Sequence, residues 1–207
     1  MDLRLPATVL CRPALASTLA VLSGTTRPLA GREVARLAPH GSVPAVFDAL
    51  HQLVDHGLVV RQEVGRTHLY RLNHEHVAAT AALELARLRQ TLLDRIQGAI
   101  ADWRVQPVNA SLFGSAARGD GTVESDIDVL IVRAERTSAE DPRWREQLDS
   151  LGARLLRWSG NQARWLELSR VELTRMVRRH EPIVADWREE ALDLAGKPLR
   201  SLLRVTK

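Results

Sequence analysis

The chain has 207 residues, 45% hydrophobic and 26% charged, which is enough for one large or two small globular domains. Its formal net charge is +4, 27 of its 29 basic residues are arginine, and a single cysteine, Cys11, excludes an internal disulfide. No apolar run is long enough to span a bilayer, and no continuous apolar segment accompanies Arg4 and Arg12 as a secretory leader requires; the expectation is a cytoplasmic protein with no membrane partner.

The basic excess lies at the N-terminal end. Residues 1–73 carry eight arginines against five acids, residues 74–104 balance at four against four, and residues 105–207 carry 17 basic against 16 acidic residues. A nucleic-acid partner is therefore sought first in residues 1–73. The arginine bias also fits genome composition.

In chain order, Ala14–Leu22 is an apolar helical segment closed by Ser23-Gly24. Residues 28–30 read as a very short strand, and 32–38 as a short helix ended by Pro39-His40-Gly41. Ser42 is a fitting N-cap and Pro44 suits the first turn of the next helix, where Val46, Leu50, Leu53 and Val54 recur at helical spacing up to Gly57. Two strands, 58–64 and 68–72, flank a turn at Gly65-Arg66.

This order, and the phrase ALHQLVDHGLVVRQEVGRTHLYRLN over 49–73, resembles the winged helix-turn-helix domain of MarR- and ArsR-like regulators. The resemblance covers residues 10–73 and implies that the helix at 43–56 enters the major groove of duplex DNA, with His51 and Gln52 available to the bases. Arg61 and Arg66 of the hairpin would reach phosphates or the neighbouring groove. The helix departs from a strong base-reading surface, because it holds Asp48 and no Arg or Lys. Domains of this kind also serve as docking or dimerisation modules.

Residues 74–103 read as one long helix, with Val77, Ala81, Leu85, Leu88, Leu92, Ile96 and Ile100 on one face, either a connector or the seam of a homodimer. A metal pair at His74 and His76 competes with the simpler reading of surface histidines at a domain junction. Strands are expected at 106–113, 126–133 and 161–168, with a turn into a short helix at 114–118 and helices at 141–158, 171–179 and 183–195. The five tryptophans fall at core-like spacing, and Arg175, Arg178 and Arg179 form a basic cluster that is either a solvated face or a contact for a nucleic-acid acceptor. The expected fold is α+β in two domains: residues 1–73, a connecting helix over 74–104, and a mixed-sheet domain over 105–207.

The chemistry concentrates in SLFGSAARGDGTVESDIDVLIVR, residues 111–133. Gly114-Ser115 ends an apolar run, and ten residues separate Ser115 from Asp126-Ile127-Asp128. In a strand Asp126 and Asp128 project from one face. Two adjacent carboxylates repel unless a cation lies between them, and Mg²⁺ takes one or two carboxylates plus substrate phosphates. Backbone N–H groups and a hydroxyl at the Gly-Ser turn suit a phosphate.

This segment resembles the signature of the minimal nucleotidyltransferases, small members of the DNA polymerase β-like superfamily, and the likeness extends over residues 105–195. It implies a polymerase β-like palm in which Gly114, Ser115 and Arg118 hold the phosphates of ATP or another NTP. Asp126 and Asp128 would bind one or two Mg²⁺ or Mn²⁺. A third carboxylate on a neighbouring strand is implied, with Glu167 its best match, one methylene longer than the Asp of many relatives. Simpler readings pair Arg118 with Asp120 or Glu124, and Glu167 with Arg164. The function implied is transfer of an NMP to a protein or RNA acceptor, a chemistry found in toxin–antitoxin pairs. The alternative is a DNA-binding regulator whose nucleotidyltransferase-like domain senses nucleotide or is inactive.

Overall fold

A computed structural model of the chain describes residues 1–204. They form a mixed α+β structure that divides into two compact units, one of residues 4–89 with Asp2, the other of residues 90–204 with Met1 and Leu3. Among the described residues no helix is long and apolar enough to cross a membrane.

In the first unit, helices α1 (Pro13–Ser23), α2 (Gly31–Leu37) and α3 (Val43–Asp55) precede a hairpin of β2 (Val59–Val64) and β3 (Thr67–Leu72). The two-residue strand β1 (Leu29–Ala30) adds antiparallel to β3, giving the order β1-β3-β2. Ser42 caps α3 by accepting from the Ala45 N–H. Val46, Ala49, Leu50 and Leu53 bury one face of α3 against Leu19, Leu22, Leu29, Val34, Val59 and Tyr70. Val64 pairs with Thr67 across a two-residue turn, where Gly65 takes φ +60°, the sign a tight hairpin demands of its first turn residue.

The stretch expected as one long helix is two, α4 (Ala79–Ala86) and α5 (Leu88–Ala101). Residues 74–78 are a turn because side chains bond the local backbone there. Asn73 Oδ1 accepts from the Glu75 N–H and His76 Nδ1 from the Ala78 N–H. This bond engages the His76 ring in the turn, and among the described residues no group of three or more His, Cys, Asp or Glu side chains is placed to hold a metal ion.

The second unit is a four-stranded sheet in the order β6-β5-β4-β7, from β4 (Asn109–Leu112), β5 (Ile127–Arg133), β6 (Ala163–Ser169) and β7 (Leu192–Gly196). β5 and β6 are parallel and the other pairs antiparallel. Strand β7 falls where the sequence suggested a continuing helix. Helix α9 (Pro182–Glu190) ends early, and Leu192-Asp193-Leu194 extends beside β4. Asp193 secures that pairing by accepting from Asn109 Nδ2, Ser111 Oγ and the Leu199 N–H.

Both faces of β5 are buried. Ile127, Val129 and Ile131 pack with α5 and with Trp144, Leu148 and Leu151 of α7 (Pro142–Ser159). Leu130 and Val132 pack with Leu168, with Leu173 and Val177 of α8 (Arg170–Arg178), and with Val184 and Trp187 of α9. Each such aliphatic side chain contributes about 1.5–3 kcal/mol by leaving water.

Helix α8 opens with a capping box, Ser169 to Glu172. It closes in a Schellman turn: the His180 N–H donates to Val177 O and the Glu181 N–H to Met176 O. His180 holds φ 54° there, a position that favours glycine. His180→Gly is expected to raise stability by about 0.5–1 kcal/mol, measured by urea denaturation, because it removes the left-handed penalty while adding chain entropy to the unfolded state.

Candidate functional site

The Gly-Ser turn begins α6 (Gly114–Arg118), directly after β4. Gly114 takes φ +62°, and a Cβ added there would come within 2.9 Å of Asp128 Oδ2. Only glycine permits both the backbone conformation and this approach. The Phe113 N–H donates to Asp128 O at 3.1 Å, so the turn and the aspartate strand are tied together.

Asp126 is exposed just before β5 and Asp128 is partly buried in it. The loop leading to Asp126 is clamped by Asn161, which is 2% exposed and donates from Nδ2 to Thr122 O, Val123 O and Ser125 O. The Asp128 carboxyl is pushed above the usual carboxylate range, mainly by burial; Arg164 opposes the shift and Asp126 adds to it. The negative charge of Asp126 thus disfavours ionisation of Asp128, a repulsion that a cation between them would relieve.

Glu167 does not join them. The parallel register sets Arg164 beside Asp128, and Glu167 beside Ile131. Side chains alternate along β6, so Arg164 shares the Asp128 face while Glu167 emerges on the opposite one. There Glu167 Oε1 accepts from Trp144 Nε1 at 2.9 Å, and the carboxylate pairs with Arg133 at 2.6 Å and Arg145 at 3.5 Å. The Arg133 Nε–H is not aligned on that oxygen, so this contact is an ion pair by distance rather than a hydrogen bond. Glu167 belongs to the α7 side of the sheet, and the strand next to Asp128 presents a cation where the resemblance calls for a third carboxylate.

A carboxylate does reach the turn, from α9. Glu190 Oε1 accepts from the Gly114 N–H at 3.2 Å and Oε2 from Arg118 Nη1 at 2.7 Å. Arg118 also donates to Asp120, and these two acids, Asp120 foremost, keep its guanidinium firmly protonated. Glu190 therefore holds the two donors that the motif assigns to phosphate, and a nucleotide taking them must displace it. Ser115 is partly buried in the same turn.

In the sequence Arg164 stands out only as a partner for Glu167, and Glu190 and Asn161 do not stand out at all. Their placement depends on strand register and on helix α9, neither of which leaves a mark near residues 111–133.

In the first unit, His51 and Gln52 lie exposed on the face of α3 opposite its buried residues. Arg61 is exposed on β2, and Arg66 is exposed at the hairpin tip beside Gly65, around which a Cβ would meet nothing within 4 Å.

Residues 95–181 match the family model described as "Nucleotidyltransferase domain". No curated protein matches the chain. A solved structure of TrmBL2, described as an archaeal chromatin protein that shows a novel mode of DNA binding, aligns with 89% of this chain and 77% of its own at 15% identity. Its TM-score is 0.31, a value from which no shared fold follows.

The raised Asp128 carboxyl has a consequence for stability. Burial penalises the ionised form in the folded state, so stability is fully present below the unfolded-state pKa and declines as pH rises through the raised folded value. Asp128→Asn is expected to raise Tm at neutral pH, with the gain vanishing once the pH falls below the ordinary carboxylate range. Thermal melts of both proteins across pH test it.

Proposed function

We propose that the chain is a Mg²⁺- or Mn²⁺-dependent nucleotidyltransferase that moves an NMP from an NTP to a hydroxyl of a protein or RNA acceptor. The observation that carries the reading is the pairing of Asp126 and Asp128 beside the Gly114-Ser115 turn, inside the segment that matches the nucleotidyltransferase domain. Two mutually repelling carboxylates fit one hard cation completed by waters and phosphate oxygens. Bound there, the cation supplies charge neutralisation on the phosphates and favours ionisation of the acceptor hydroxyl.

The chain's own part is to position. The Gly114 N–H, Ser115 and Arg118 hold the phosphates once Glu190 has moved aside. Arg164 places a positive charge beside Asp128 and favours its ionised, ligating form. In the transfer, the acceptor oxygen bonds to the α-phosphorus, the bond to the β-phosphate oxygen breaks, pyrophosphate leaves and the hydroxyl proton passes to water. Purified protein with α-labelled NTPs and Mg²⁺ is expected to transfer label to protein or RNA. The variant carrying Asp126→Ala and Asp128→Ala is expected to lose this by at least about 10³-fold, the scale of removing metal-held charge stabilisation. Equal labelling by both proteins would overturn the reading.

A second reading, a DNA-binding regulator whose second unit senses nucleotide without transferring it, is favoured by Arg164 in place of a third carboxylate and by Glu190 on the phosphate donors. Here residues 10–73 would act as a winged helix, with α3 in the major groove of duplex DNA. Arg61→Ala with Arg66→Ala is expected to weaken duplex binding in all sequences and to lower the salt slope by about 2, near one unit per lost phosphate contact. Anisotropy titrations over a range of salt measure it; a chain that ignores duplex DNA at low salt excludes this reading.

A further inference from the structure

The exposed side of helix α8 lines a depression of about 490 Å³. Its buried side, Leu173 and Val177, is spent on the core. On the other side two rows at helical i, i+4 spacing run together: Arg170, Thr174 and Arg178 in one, Val171, Arg175 and Arg179 in the other. Four guanidinium groups thus face one hollow.

Arg175 and Arg179 stand at i, i+4 as a like-charge pair. Like charges at i, i+4 destabilise by about 0.2–0.5 kcal/mol per pair. Among the described residues none of the four arginines forms an ion pair with a carboxylate. Glu135 is the one acid among the residues lining the hollow. Glu172, on the same helix, is engaged by the Ser169 cap, which is the main reason its carboxyl is held low; Arg175 contributes least. The Schellman turn at His180 fixes Arg178 and Arg179 at the end of the helix. The unit as a whole is nearly neutral, so this positive charge is local.

The ligand that fits is an extended, repeating anion. Arginine matches phosphate oxygens with a planar fork of donors, and two parallel rows suit successive phosphates better than one small ion. We propose that this depression binds the phosphodiester backbone of a nucleic-acid strand. Arg170 follows the C-terminal end of β6 and Glu135 that of β5, whereas Asp126 and Asp128 lie at the N-terminal end of β5. None of the residues lining the depression is among those assigned to nucleotide transfer, so strand binding is measured apart from it.

The test is fluorescence anisotropy of the full chain with labelled oligouridylate and oligothymidylate over a salt series. Four backbone contacts on a single strand give a log–log salt slope of about −3, and Arg175→Ala with Arg178→Ala is expected to cut it by about 1.4 and weaken affinity more than about tenfold. Glu135→Gln is expected to tighten binding. Both strands binding alike, or RNA binding better through its 2′-hydroxyls, supports the site. The control pair Arg154→Ala with Arg157→Ala on α7 removes equal charge elsewhere in the unit, and melting curves confirm that each variant is folded. Equal weakening by the control, loss only on Arg61→Ala with Arg66→Ala, or displacement by inorganic phosphate at matched phosphate concentration would overturn the proposal.

Discussion

The side-chain alternation of β5 is the constraint on which the second unit depends. Ile127, Val129 and Ile131 serve the core under α5 and α7, while Leu130 and Val132 serve the core under α8 and α9. Asp128 inherits the second face, two residues before Leu130. Slipping the strand by one residue would swap its five aliphatic side chains between two cores each packed for the other set, at about 1–3 kcal/mol for each misfit, and turn Asp128 into the core under α5 and α7. An exposed ion pair contributes about 0–1 kcal/mol, so no surface charge on this unit could oppose that register. The position of the site's carboxylate is therefore dictated by hydrophobic burial rather than by electrostatics.

The same alternation explains how much of the site was legible. Residues 111–133 are local in sequence, and the geometry they implied for Gly114, Asp126 and Asp128 needs only a strand, a turn and a second strand. Glu167 looked suitable because it is an acid at a plausible distance along the chain. Its side depends on the pairing Asp128 to Arg164, and a shift of a single residue in that pairing inverts the choice. Pairing register between strands separated by an 18-residue helix is a property of tertiary packing. The donor to Glu167, Trp144, is likewise a residue whose relevance appears only once α7 lies across the sheet. Glu190 was hidden for a related reason: a helix expected to run to residue 195 placed it mid-element, whereas the helix ends there and presents its carboxylate to the turn.

The first unit was more legible because its elements are short and locally punctuated. Ser42, Pro44, Gly57 and Gly65 mark helix and hairpin ends by their own backbone chemistry, and the structure places ends at or beside them. Residues 74–78 and Arg87 carry neither glycine nor proline, so apolar periodicity ran through two breaks. The first is made by Asn73 and His76 bonding to nearby backbone, a competition that apolar spacing does not register.

Charge placement within the second unit separates two kinds of anion contact. At the N-terminal end of β5, positive and negative groups interlock: Arg118 with Asp120 and Glu190, Arg164 beside Asp128. On the proposed reading, a nucleotide arriving there would exchange one set of ion pairs for another, and its phosphates and cation would have to outcompete a single carboxylate. Along α8, no arginine forms an ion pair with a carboxylate among the described residues, and an arriving anion would displace water and counterions. Binding there is expected to depend steeply on salt and little on identity, whereas binding at the aspartates depends on the cation and on Glu190 giving way. The asymmetry follows from α9 supplying Glu190 to the turn at Gly114, while the one acid of α8, Glu172, is engaged by the Ser169 cap.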